Sequence, residues 1–180
     1  MELPLGLADP LDEVFVAAFY KSGLTNWMVR NRWTAPKIQM VSVGFLLTAA
    51  YNVHYSHRIR TVAFAGWIIL NGMATAVAYQ LDQLTTALQF RFLMQVCVGV
   101  GFWRLIYAMN PNSWTLWAVG YPAVILSSIN TLLQWKYTTS GPSSRNNLSK
   151  YLRISRWAGA STWNMAYLFL LASSGIRRYS

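Results

Sequence analysis

The chain has 180 residues, enough for one domain, and is 54% hydrophobic but only 11% charged, with nine Trp and ten Tyr. Soluble domains carry about 25% charged residues, so this balance argues against an ordinary soluble domain and for a helical membrane protein. The formal net charge is +10. The basic residues lie mostly between apolar runs, a placement that suits anionic lipid headgroups and topology control and argues against nucleic acid as a partner.

From the N-terminus, Asp9-Pro10-Leu11-Asp12-Glu13 predicts a helix start: Asp9 can cap, Pro10 suits the first helical position, and the acids favour the positive end of the dipole. Leu11, Val14, Phe15, Ala18 and Phe19 then fall on one face, and Gly23 can end the helix. Such a short amphipathic helix is expected at a membrane surface or against a partner. Trp27, Arg30, Arg32 and Trp33 follow at close range, as at a headgroup interface. Four of the five acids lie in the first 13 residues, and Asp82 is the fifth. This acidic start lacks the basic-then-apolar order of a secretory signal.

Beyond residue 37, uncharged stretches reach the roughly 20 residues needed to cross a hydrocarbon core. They predict five crossings over about 38–55, 61–81, 85–108, 113–135 and 157–176. The apolar run 105–135 is too long for one crossing and is interrupted by Pro111 and Pro122. The expected fold is therefore all-α: an integral membrane helical bundle of about five transmembrane helices, with residues 1–36 as an N-terminal interfacial segment and 37–180 as a single transmembrane domain. The basic stretch 136–156 then shares a side with Arg30, Arg32 and Lys37, assigned as the inside, while Arg58, Arg60, Arg177 and Arg178 fall opposite. Ser140 to Asn147 reads as a flexible connector.

Residues 102–118, FWRLIYAMNPNSWTLWA, place Arg104 about one turn from the end of a crossing, where its long stem can reach the interface. Asn110-Pro111-Asn112-Ser113 makes a tight turn, and Trp103, Tyr107, Trp114 and Trp117 form an aromatic belt. The same residues resemble the mitochondrial pyruvate carrier family. The matching pattern is Arg104, Pro111, Trp114, Leu116 and Ala118, followed after an apolar helix by Trp135, Lys136 and Tyr137, over residues 102–137. Trp33-Thr34-Ala35-Pro36 is loosely similar to that family's entry to its first helix.

The resemblance implies a mitochondrial inner-membrane location and, in its strongest form, a small-carboxylate carrier acting with a paralogous partner. Members of that family have fewer crossings and place polar groups where this chain has Gly120 and Tyr121, and a Lys where it has Asn52 and His54. A carboxylate pathway needs a buried cation or strong donors. The candidates for substrate or lipid-headgroup contacts are Arg91, Arg104, Asn52 and His54.

His54 and His57 are spaced for one helix face, but haem between helices needs a second axial His, so an interfacial role is the simpler reading of both. The single Cys97 sits in an apolar run and reads as a buried small hydrophobe. Gly99, Gly101 and the stretch Ala158 to Ser161 suggest close helix packing, and Asn164 an interhelical hydrogen bond. No paired carboxylates or nucleophile–base arrangement supports catalysis.

The sequence thus leads to a non-catalytic accessory subunit of a mitochondrial inner-membrane complex, such as a respiratory complex or the ATP synthase. The alternative is the carrier subunit, and a more distant one is a haem or quinone anchor using His54. Expected partners are other membrane subunits and anionic lipids. No cofactor or metal is expected, although a bound phospholipid such as cardiolipin fits the basic segments.

Overall fold

Helix starts follow the local chemistry of the chain. In a computed structural model, which describes residues 5–52, 55–109, 114–159, 162–166 and 168–169 and the side chains of most of these, Asp9 caps the first helix. Its carboxylate accepts from Leu11 N at 2.9 Å, and Pro10 occupies the first turn of α1 (Pro10–Lys21). Gly23, at φ 69°, separates α1 from the short α2 (Leu24–Arg30). Then come α3 (Ala35–Tyr51), entered at extended Thr34 with Pro36 in its first turn, and α4 (His57–Gln80), capped by Ser56 Oγ. α5 (Leu84–Met109), α6 (Trp114–Thr139) and α7 (Pro142–Ser155) complete the long elements. Three-residue 3-10 turns lie at Leu5–Leu7 and Arg156–Ala158, and residues 162–166 are again helical. The described residues contain no strand, so the all-α class holds.

α3 to α6 correspond to the first four expected crossings, with ends displaced by a few residues. Half of 157–176, including everything from 170 on, lies outside the described residues. Among the described residues one helix, α4, is both long and apolar enough to cross a membrane. α5 and α6 match its length, with 26 residues each.

α3 sits between α4 and α5. Gln39 Nε2 donates to Ala87 O at 3.2 Å, tying the start of α3 to the start of α5, and Gly101 of α5 lies so close to Leu46 of α3 that an added Cβ would come within 3.0 Å of its side chain. That close approach is the small-residue packing expected at Gly101. The Phe92 ring of α5 lies tilted beside Trp135 of α6, ring centroids 6.4 Å apart. Gln80 donates to Asn26 of α2. Residues 24–37, 80–84 and 136–145 therefore meet at one end of the bundle. Arg30, Arg32 and Lys37 share that end of the bundle with Lys136 and Arg145.

Leu7, Ala8 and Val16 of the N-terminal segment, with Met28 of α2, are buried in one core with Ile38, Met73, Val77, Leu84, Leu88 and Leu152, and two local expectations are corrected. Phe15 lies against Gly72 of α4, where an added Cβ would come within 2.7 Å of its ring. Ser140 to Asn147 is not a flexible connector. Apart from Ser140 and Gly141 it forms the first turns of α7, because Pro142 presets the first helical φ and Leu152, fully buried, anchors the later turns. Pro122 does not interrupt α6, which continues through it at the cost of one backbone bond to Ala118 O.

Among the described residues, both αL residues other than glycine sit at helix C-termini. Arg32 (φ 58°) and Asp82 (φ 51°) each occupy the left-handed position of a Schellman motif. Trp33 N bonds Met28 O and Arg32 N bonds Val29 O, both at 3.0 Å. Gln83 N bonds Ala78 O at 2.9 Å and Asp82 N bonds Tyr79 O at 3.3 Å.

Candidate functional site: polar networks inside an apolar bundle

The acids gathered at the start of the chain are turned inward by α1. Asp9 is almost fully buried, at 1% exposure. Besides capping α1, it accepts from Thr162 N at 3.0 Å and Thr162 Oγ1 at 2.8 Å. Burial pushes its carboxyl above the ordinary value of 3.8; the neighbouring negative charge of Asp12 adds to the rise, and the bonds from Thr162 and Leu11 oppose it. One turn on, Asp12 pairs with Arg91 of α5 at 3.3 Å, and Arg91 also donates to Thr75 Oγ1 of α4. Glu13 pairs with Arg156 at 3.1 Å; Arg156 also donates to Gly6 O at 3.2 Å and lies over the Trp157 ring. Three consecutive ties thus join the N-terminal helix to α4, α5 and the segment after α7.

Gly159 closes against the same acid. A Cβ there would overlap the Asp9 carboxylate. The small-residue stretch opening the last expected crossing therefore makes room at Gly159 for Asp9.

A second network runs down α6. Ser127, Asn130, Thr131 and Gln134 are all buried. Asn130 Nδ2 donates to Ser155 O at 3.0 Å and Ser155 Oγ at 3.1 Å, and its Oδ1 accepts from Gln134 Nε2 at 2.9 Å. Sequence reasoning missed this stripe. Its spacing of three, four and seven residues puts all four side chains on one helical face, which was a readable signal inside an apolar run.

Of the residues singled out from sequence, Arg91 lies at the centre of the first network. Asn52 does not join it: its side chain donates to Thr48 O at 2.9 Å and closes the far end of α3. His54 and Pro111 lie outside the described residues, as do the side chains of Arg104, Trp114 and Leu116. His57 Nδ1 lies 2.8 Å from Arg60 Nη2, one turn away on α4.

Ala118 is exposed, Trp135 is half-buried beside Phe92, and Lys136 is exposed. Tyr137 carries the Arg145 guanidinium 5.6 Å from its ring centroid, while Arg145 Nε donates to Tyr137 O at 3.1 Å. Tyr137 thus anchors α7 on α6.

No family model matches the chain, and neither a curated protein nor a solved structure is significantly similar to it.

Proposed function

We propose that the chain is a multi-pass membrane-embedded, non-enzymatic accessory subunit of a larger assembly in the mitochondrial inner membrane. One observation carries the membrane reading: adjacent residues face opposite media in the unexpected sense. On α3, Gln39 is 2% exposed while Met40 is 60% exposed; on α6, Asn130 is 2% exposed while Ile129 is 46% exposed. Leu47, Val62, Ile69, Leu93 and Ile125 continue the outward apolar surface over α3, α4, α5 and α6. A water-soluble bundle hides such residues, whereas a lipid-facing one presents them and satisfies its polar groups internally.

The structural rather than transporting role is supported by how Arg91 is held. Its guanidinium engages Asp12 and Thr75 of the same chain, so the cation best placed to meet a carboxylate substrate already has a carboxylate partner. The mitochondrial location rests on the resemblance of residues 102–137 to the pyruvate carrier family. The test is native-gel migration of the detergent-extracted endogenous protein, followed by mass spectrometry of the band. Retention in the membrane after alkaline carbonate, with migration in a large multi-subunit band, supports the reading. Release by carbonate removes the membrane reading, and migration as a lone or dimeric particle removes the accessory role.

A further inference from the structure

We propose that the outward face of α7 docks on the headgroups of anionic phospholipids, at the lower edge of the lipid-facing band. The inference rests on the membrane reading and adds to it a surface and a ligand. α7 folds back antiparallel along α6: Arg145 bonds Tyr137 near the helix turn, and Ser155 bonds Asn130 at the other end. Ser155 is therefore level with Asn130 and its neighbour Ile129, the last exposed large apolar residue along α6 before the exposed Lys136 and Thr139. The C-terminal end of α7 thus arrives where the outward surface of α6 changes from apolar to polar.

The side chains that α7 presents there suit that boundary. Leu152 is buried against the bundle, which leaves Lys150, Arg153 and Ile154 pointing away from it. Ile154 is 80% exposed, and Trp157, just beyond the helix, is 66% exposed. Lys150 and Arg153 precede these two along the chain, on the polar side. Two cations followed by an aliphatic and an indole side chain match phosphate above acyl chain. Charge selects the lipid class. Of the four N-terminal acids, Asp9, Asp12 and Glu13 are engaged within the chain. Lys150 and Arg153 on α7 are exposed, as is Lys136 on α6, and each such cation near an anionic leaflet adds attraction.

The experiment uses the full chain with Cys97→Ser, carrying a nitroxide at Ile154→Cys or, separately, at Ile69→Cys in the middle of α4. It is reconstituted in vesicles of phosphatidylcholine alone or of phosphatidylcholine mixed with phosphatidylglycerol. The expected result is that the label at 154 is shielded severalfold from an aqueous nickel complex in the mixed vesicles. The shielding should be lost in phosphatidylcholine alone, or when Lys150→Glu and Arg153→Glu are added. Equal shielding in both lipids overturns the anionic preference. A label at 154 that is open to nickel in both lipids, while the label at 69 stays in oxygen-rich hydrocarbon, overturns the docking face and leaves the membrane reading standing. Nickel access at 69 as well removes the reading on which the proposal rests.

Discussion

The Asp9 carboxylate and Thr162 are joined twice, by the backbone N–H at 3.0 Å and by the hydroxyl at 2.8 Å, across 153 residues of sequence. Gly159 lies against that carboxylate with no room for a Cβ. Gly159→Ala should therefore push the two apart and cost about 1–3 kcal/mol through a buried acceptor left short of donors. Gly141→Ala, where nothing lies within 4 Å of the added Cβ, should change stability little. Thermal unfolding of both variants in detergent decides the matter. Equal midpoints would mean that the Asp9–Thr162 junction does not hold the C-terminal segment.

The same acid should make stability depend on pH. Asp9 is held above its ordinary value of 3.8 by burial first and by Asp12 second. A carboxyl with a higher pKa in the folded than in the unfolded chain binds its proton more tightly when folded. Its contribution is full below about pH 3.8 and is lost as pH rises through the folded value. Asp9→Asn keeps an acceptor for Leu11 N and removes the titration. The stability of the variant relative to the parent should therefore improve as pH rises from about 4 to about 7. A difference that stays flat across that range would contradict the assignment.

Arg91 and Asp12 should behave as a coupled pair. Asp12 is 3% exposed, so Arg91→Gln takes the cationic partner from a buried carboxylate and should cost roughly 3–5 kcal/mol. The double variant Asp12→Leu with Arg91→Met removes both charges and should be distinctly more stable than the sum of the single losses implies. A double-mutant cycle on unfolding free energies measures the coupling. Strict additivity would show that the ion pair is incidental to the packing of α1.

Much of this architecture was legible because it is local. Asp9 and Pro10 announced α1, and uncharged runs located α3 to α6 to within a few residues. α7 escaped notice because Ser, Gly, Asn and Pro are turn signals, and the helix is decided instead by burial of Leu152 in a core built from distant residues. The partners of the N-terminal acids were invisible for a similar reason. Arg91 is 79 residues from Asp12, and Arg156 is 143 from Glu13, and no periodicity encodes contacts at such separations. The polar stripe on α6 was readable in principle. Apolar periodicity hides it, whereas in a bundle with many exposed apolar side chains the informative periodicity is that of the polar ones.

Arg32 offers a test of backbone strain separate from these networks. It holds φ at 58° in the position of the α2 terminus that glycine fills most readily, because an L side chain there crowds the following carbonyl. Its backbone N–H bonds Val29 O at 3.0 Å and its carbonyl accepts from Lys37 Nζ at 3.2 Å, so both backbone contacts survive loss of the side chain. Arg32→Gly should relieve the crowding at some expense in unfolded-chain entropy, for a net gain of about 0.5–1 kcal/mol. Arg32→Ala keeps the Cβ and should gain nothing. Unfolding midpoints of the two variants separate the backbone effect from loss of the positive charge, which they share. If glycine and alanine were equivalent, the left-handed geometry would not be a source of strain at this turn.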